Sequence, residues 1–126
     1  MPITFKTDSR GSYLYIKGEG GYSSFQDLKK NIDALLIEAN KKSCSRILLD
    51  QRNITVNVDA FDLIKFADYL DSISIQSSGF RIVALPNPDF IDKFNAFQTA
   101  ANNRSFAYRL FKSETKAVDW LVSTKA

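Results

Sequence analysis

A group of polar residues follows the apolar segment near the middle of the chain and offers the first indication of chemistry. Its members are Asp50, Arg52, Asn53, Thr55 and Asp59. Carboxylates, a guanidinium group and an amide can bind a ligand or a partner where loops and helix N-termini converge, at the carboxyl ends of parallel strands. The competing interpretation is that Asp50 and Asp59 cap a turn and a helix, with Arg52 as a solvated partner.

The helix predicted after this group carries more apolar residues than one buried face needs. Asp59 is a good N-cap, and the face predicted to point inward consists of Ala60, Leu63, Ile64, Ala67 and Leu70. Three aromatic residues lie on the flanks or the back of the helix: Phe61, Phe66 and Tyr69. They predict either a contact surface for a second copy or a partner protein, or burial under neighbouring loops.

Two further segments carry weaker indications. Residues 18–24, Gly-Glu-Gly-Gly-Tyr-Ser-Ser, join a predicted strand to a helix and could form a phosphate-binding nest. They lack the G-x-G-x-x-G spacing and the lysine of a P-loop, and Glu19 would repel an anion, so a turn is expected. Cys44 is the single cysteine, and a passive thiol is expected because no histidine is present to form a Cys-His pair.

The composition favours one globular domain spanning residues 1–126, with 44% hydrophobic and 25% charged residues. The absence of histidine removes the commonest general base and the commonest metal ligand. This absence argues against many hydrolase and metalloenzyme classes, though not against all enzymes. Our expectation is a protein with no enzyme activity, no cofactor and no metal. No apolar run approaches the roughly 18 residues of a membrane span and no signal core is evident, so we expect a cytoplasmic protein without membrane insertion.

The net charge of +3 does not indicate nucleic-acid binding. Basic residues are concentrated between Lys93 and Lys116, but the aromatic residues among them fit a core pattern instead of an exposed stacking surface. These aromatic residues are Phe94, Phe97 and Phe111. Nucleic acid is therefore not an expected partner.

Hydrophobic periodicity places the candidates on alternating strands and helices. Strands are predicted at 3–7, 13–17, 46–50, 80–85 and 107–111, with residues 18–21 breaking the second and 51–57 forming a polar loop. Four helices are predicted: after Ser23 or Ser24, from Asp59, from Asp89, and after Ser113. The third is expected to end at Asn102 and Asn103, which tolerate the left-handed cap conformation. The fold class is α/β: a mixed, mostly parallel five-stranded sheet with four helices, in the order β-β-α-β-α-β-α-β-α.

Three parts of the chain carry a family resemblance. They are Arg-Ile-Leu-Leu-Asp at 46–50, Arg-Ile-Val-Ala-Leu at 81–85, and a closing unit of Asn-Arg at 103–104, Arg-Leu-Phe at 109–111 and Ala-Val-Asp-Trp-Leu at 117–121. With the order of elements, they resemble the STAS-like superfamily, which includes bacterial anti-sigma-factor antagonists and cytoplasmic domains of sulfate transporters. The chain looks most like the small stand-alone SpoIIAA-like proteins.

The resemblance also defines where this chain departs from the family. The family's switch is a serine that is phosphorylated at the start of the helix after the central strand, in an Asp-Ser pair. Here Asp59 matches the aspartate, and Ala60 stands where the serine would be. No hydroxyl is present at that place, so the phosphorylation switch is not expected.

The resemblance implies a non-catalytic regulatory or protein-interaction module. From the residues themselves we predict that its contact surface is formed by residues 50–59 and the aromatic residues of the second helix. The expected partner is another protein or a second copy. The alternative is a carrier of a small apolar or anionic ligand, because the fold is similar to lipid-carrier folds and ten phenylalanines could line a cavity. A pocket between the sheet and the helix bearing Phe90, Phe94 and Phe97 would favour it. An enzyme is the third option and would need Asp50, Arg52 and Asn87 around a pocket.

Overall fold

The computed structural model describes residues 3–74 and 79–123. Its elements are β1 Thr4–Ser9, β2 Leu14–Tyr22, α1 Phe25–Lys41, β3 Arg46–Val56, α2 Ala60–Ser72, β4 Arg81–Pro86, a 3₁₀ turn Pro88–Phe90, α3 Ile91–Asn103, β5 Tyr108–Leu110 and α4 Glu114–Val122. The strands form one sheet in the order β1-β2-β3-β4-β5. β1 and β2 are antiparallel and the remaining pairs are parallel. The predicted fold class and order of elements are confirmed.

The sheet separates two apolar cores of unequal size. One face packs against α1, α2 and α3, and its core includes Leu14, Ile47, Ile82 and the aromatic residues Phe94 and Phe97. We call it the α1–α3 face. The other face packs against α4 alone, with a core of Leu48, Val83, Leu85, Ala117 and Leu121. We call it the α4 face.

Side chains cap three of the four helices at the residues that the sequence predicts. Ser24 caps α1, Asp59 caps α2 and Ser113 caps α4, each by accepting a hydrogen bond from a backbone N–H of the first turn. The start of α3 differs from its predicted position, because Asn87 caps a 3₁₀ turn and α3 begins only after it. The left-handed residue at its end is Ser105, with φ of 63°, and not an asparagine.

The glycine-rich segment predicted to be a turn belongs to β2, which continues through it to Tyr22. Gly21 pairs with Thr55 of β3, and a Cβ atom at this glycine would collide with Thr55 Oγ1. Glycine is therefore needed here for the close approach of two strands. The predicted strand break is wrong, and the segment forms no phosphate-binding nest.

A bulge occupies the part of β3 for which the sequence predicts a polar loop. Lys17 pairs with Asp50 and Glu19 pairs with Asn53, so two steps along β2 correspond to three along β3. An extra residue of this kind bends a strand and changes which side chains point to each face. The loop prediction is wrong because the strand passes through the bulge.

The bulge changes which residues of β3 point into the α1–α3 core, from odd-numbered ones before it to even-numbered ones after it. Before it, Ile47 and Leu49 contribute to the α1–α3 core, and after it Ile54 and Val56 contribute to the same core. An uninterrupted strand would place the odd-numbered and even-numbered residues on opposite faces. The extra residue therefore allows all four to be buried together.

Candidate functional site

The buried carboxylate of Asp50 lies at the centre of a hydrogen-bonded cluster on the α4 face. Only 4% of Asp50 is exposed. Its Oδ2 atom accepts a hydrogen bond from Tyr15 Oη at 2.6 Å. Arg52 donates from Nε to Oδ1 at 2.9 Å and from Nη2 to Oδ2 at 2.8 Å. A buried charge is tolerated when it is both paired and hydrogen-bonded, and Asp50 meets both conditions.

The protonation states of this cluster follow from its contacts. Desolvation would raise the pKa of Asp50, but the hydrogen bonds from Arg52 and Tyr15 outweigh it and lower the pKa to about 2. Burial and the hydrogen bond to Asp50 raise the pKa of Tyr15 to about 12. At pH 7 Asp50 is ionised and Tyr15 is neutral, so neither is matched to proton transfer at that pH.

Two further charged residues extend the cluster to the start of α4 and the end of β1. Arg52 Nη2 lies 3.6 Å from Glu114 Oε1, and Arg10 Nη1 lies 3.6 Å from Glu114 Oε2. The Arg10 guanidinium group also stacks 3.9 Å above the ring of Tyr15. The arrangement joins β1, β2, β3 and α4, which supports the structural interpretation of Asp50 and Arg52.

The other members of the predicted polar group are not part of this cluster. Thr55 is exposed, and its hydroxyl lies 3.4 Å from a backbone carbonyl of β2. Asp59 caps α2 by accepting a backbone hydrogen bond at 2.8 Å. Asn53 is exposed on β3. Because α2 packs on the α1–α3 face, the structure does not bring Asp59 together with Asp50 and Arg52.

The aromatic residues predicted on α2 fall into three different environments. Phe61 is 68% exposed, as a contact surface requires. Phe66 is only 8% exposed and stacks on Phe97 of α3 with 5.1 Å between ring centroids, so its prediction as a surface residue is wrong. Tyr69 is half-buried, and its Oη donates a hydrogen bond to Asp33 of α1 at 2.5 Å.

Ile64 contributes to the surface of α2 in place of Phe66. It is 47% exposed although the sequence predicts it to point inward, and Ala60 is exposed as well. Lys65 lies over the rings of Phe61 and Phe25, with its Nζ atom 5.6 Å and 5.1 Å from their centroids. We define the α2 patch as Phe61, Ile64 and Lys65.

A cavity of about 60 Å³ lies on the α1–α3 face, between the sheet and the three helices. Its apolar walls include Leu28, Ile32, Leu63, Phe94 and Phe97. This is the place at which the sequence predicts a pocket for a ligand carrier. Among its lining residues only Asn31 and Lys93 are not buried, so these two mark its opening.

The cavity also contains polar groups that the sequence does not identify as site residues. Tyr22 Oη accepts hydrogen bonds from Asn31 Nδ2 at 2.6 Å and from Gln51 Nε2 at 3.2 Å. Tyr108, on β5, lines the cavity too. Gln51 directly follows the apolar run of residues 46–50, and a polar amide at that position could have indicated a polar group in the core. Tyr108 looks like an ordinary core residue in the sequence.

The remaining candidates lie apart from the cavity and the Asp50 cluster. Cys44 is half-buried, with Sγ 3.3 Å from the carbonyl oxygen of Arg46. Within residues 3–74 and 79–123, no three cysteine or carboxylate side chains are grouped closely enough to hold a metal ion. No helix in the described ranges has the length and apolar character needed to cross a bilayer.

Comparison with solved structures identifies the architecture. One similar structure is that of an uncharacterised protein of the DUF3478 family with a SpoIIAA-like fold from Shewanella loihica PV-4. The sequences are 18% identical, the match covers 95% of this chain and 94% of the other, and the TM-score is 0.56. The chain has a SpoIIAA-like fold. The resemblance predicted from the sequence is thus confirmed for the fold, and at this identity it extends no further. No family model and no curated protein matches the chain.

Proposed function

We propose that this SpoIIAA-like protein is a non-catalytic regulatory module that binds another protein through the α2 patch. The observation that carries the proposal is the 68% exposure of Phe61 on a helix whose opposite side is anchored in the core. Exposed aromatic residues on rigid elements often supply the anchor of an interface, because they bury a large area at a low entropic cost. Ile64, three residues along the same helix, enlarges the apolar area.

The charges around the patch indicate the chemistry of the partner. Lys65 places an ammonium group over Phe61 and Phe25, so the apolar area is bordered by a cation. A partner with an apolar socket and a neighbouring carboxylate would bury the ring and pair with the lysine. A patch of two exposed apolar side chains is small beside the roughly 800 Å² per partner of a standard interface. We therefore expect a transient complex with another protein.

The chemistry of the Asp50 cluster supports a role without catalysis. Asp50 is fixed by Arg52 and Tyr15, and the pKa of Asp50 is held far below neutrality. The sequence contains no histidine that could transfer protons in its place. Regulation by binding needs no such group.

Site-specific photocrosslinking tests the proposal with a matched control. A photoreactive phenylalanine is introduced at Phe61 in one variant and at Ile37 in another. Ile37 is 59% exposed on α1 and is therefore a similarly accessible apolar position outside the α2 patch. We expect a discrete crosslinked protein only at Phe61, with its amount reduced by excess unmodified protein and not by excess Phe61→Ser protein.

Two outcomes would contradict the proposal. Identical crosslinked products at the two positions would show that Phe61 has no specific partner. A crosslinked product with the mass of two copies of the chain would show that the α2 patch binds a second copy and not another protein. Native mass spectrometry of the unmodified protein would then show a dimer.

A further inference from the structure

The hydroxyl group of Tyr108 is an unused hydrogen-bonding group inside the α1–α3 core. Tyr108 is 6% exposed, and its ring packs edge-on against Phe97 with 4.9 Å between centroids. Its Oη atom forms no hydrogen bond with any residue in the described ranges. Every fully enclosed side-chain nitrogen or oxygen in those ranges has a partner. Tyr108 Oη is therefore not fully enclosed, and Tyr108 is one of the residues that line the cavity.

The environment of this hydroxyl determines which chemical group could accept a hydrogen bond from it. Burial raises the pKa of Tyr108, so the group is a neutral O–H donor at pH 7. A carboxylate brought to such an apolar depth would lose its hydration for a single hydrogen bond, which is strongly unfavourable. A ketone oxygen accepts the same hydrogen bond with a much smaller loss of hydration. The inner end of the cavity is therefore suited to an uncharged acceptor.

The opening of the cavity, in contrast, favours a negatively charged group. Lys93 lines the cavity and is half-buried, and it forms no ion pair with another residue of the described ranges. Its ammonium group favours an anion that remains partly hydrated. Asn31 lies at the same opening and is already hydrogen-bonded to Tyr22. A carboxylate at the opening would meet the charge of Lys93 without being fully desolvated.

The size of the cavity restricts what lies between the two ends. Its volume of about 60 Å³ is well below the roughly 150 Å³ of an apolar cavity that admits benzene. The enclosed space is therefore too small for an aromatic ring, a long acyl chain or a whole oxo acid while these side chains keep their positions. It holds only the ketone end of a short aliphatic molecule, whose remaining carbons and carboxylate lie in the opening between Asn31 and Lys93.

We propose that the cavity binds a short aliphatic oxo acid, with its ketone oxygen accepting a hydrogen bond from Tyr108 and its carboxylate beside Lys93. The site is separate from the α2 patch and does not depend on the proposed protein partner.

An NMR titration of the ¹⁵N-labelled protein tests this site. The probes are 4-oxopentanoate and 5-oxohexanoate, each compared with the acid that lacks the ketone, pentanoate or hexanoate, and with 2-pentanone, which lacks the carboxylate. We expect at least one oxo acid to shift amides that line the cavity and to bind about fivefold more tightly than its matched alkanoate, as one added hydrogen bond allows.

Two variants assign the preference to its residues. Tyr108→Phe keeps the ring and should remove the fivefold preference for the oxo acid. Lys93→Met should weaken every acid about threefold and leave 2-pentanone unchanged. Tyr13→Phe and Lys30→Met are matched controls outside the cavity and should change nothing. Phe61→Ser should bind the oxo acids normally, since it alters only the α2 patch.

The proposal would be overturned by any of four results. The first is that neither oxo acid shifts cavity amides at concentrations up to about 10 mM. The second is that the alkanoates bind as tightly as the oxo acids, and the third is that the preference survives in Tyr108→Phe. The fourth is an affinity that continues to rise with longer alkanoates, which would show that the cavity expands to accept an acyl chain.

Discussion

The two faces of the sheet differ in whether their buried polar side chains have hydrogen-bond partners. On the α4 face, the carboxylate of Asp50 is enclosed and satisfied by Tyr15 and Arg52. On the α1–α3 face, a much larger apolar core leaves a cavity, and the hydroxyl of Tyr108 has no partner among residues 3–74 and 79–123. The more highly charged cluster is therefore the less available for binding. Unsatisfied hydrogen-bonding capacity next to empty space is a better indicator of a site than the number of charged residues.

Removing the charge of Asp50 is the strongest test of this contrast. We expect Asp50→Asn to lower the free energy of unfolding by about 2 kcal/mol, because a neutral amide weakens the charge-assisted hydrogen bonds that Arg52 and Tyr15 donate to this buried position. Urea denaturation at pH 7 measures the change. Asp68→Asn is the control, because the Asp68 side chain is 64% exposed and its ion pair with Arg104 should contribute less than about 1 kcal/mol. Equal losses would refute the structural role of the Asp50 cluster.

The same cluster should make stability depend on acid pH. The pKa of Asp50 is about 2 in the folded protein and near 4 in an unfolded chain. Because the folded pKa is the lower one, its stabilisation is fully present above about pH 4 and is lost as the pH falls towards 2. The loss is about 2 kcal/mol. Unfolding curves between pH 6 and pH 2 should therefore converge for the wild type and Asp50→Asn, and parallel curves would contradict the assignment.

Deleting one tyrosine hydroxyl on each face gives a matched comparison. Tyr15→Phe removes a 2.6 Å hydrogen bond to a carboxylate and should lower the free energy of unfolding by about 1.5 kcal/mol. The measurement is again urea denaturation at pH 7, where both tyrosines are neutral. A loss below about 0.5 kcal/mol would show that Arg52 alone satisfies Asp50.

Tyr108→Phe should have the smallest effect on the protein without ligand. The hydroxyl has no hydrogen bond to lose in the described structure, so we expect the free energy of unfolding to stay within about 0.5 kcal/mol of the wild type. A loss as large as that of Tyr15→Phe would show that the hydroxyl is already satisfied, which would remove the contrast between the faces.

Local interactions explain which parts of the fold the sequence predicts. Ser24, Asp59 and Ser113 are recognised as helix caps because each bonds to a backbone group within its own first turn. The buried strands at 46–50 and 81–85 are recognised by continuous apolar runs. Such signals need no knowledge of distant residues, and they suffice for the order of elements and the fold class.

Features that depend on distant partners are the ones that the sequence does not predict. Phe66 stacks in the core on Phe97 of another helix, whereas Ile64 of the same helix lies on the surface. The cavity exists because the side chains of three helices do not fill the space that these helices enclose. No single segment of the sequence determines that space. That the Tyr108 hydroxyl lacks a hydrogen-bond partner in the described part of the chain is likewise a property of the assembled core.

The bulge in β3 also determines where related proteins can differ in length. Three steps from Asp50 to Asn53 face two steps in β2, and this count sets the orientation of every later side chain in the strand. Loss of one residue there would exchange the inward and outward positions of Ile54 and Val56 with those of their neighbours. We therefore expect proteins that share this bulge to keep the number of residues between Asp50 and Asn53.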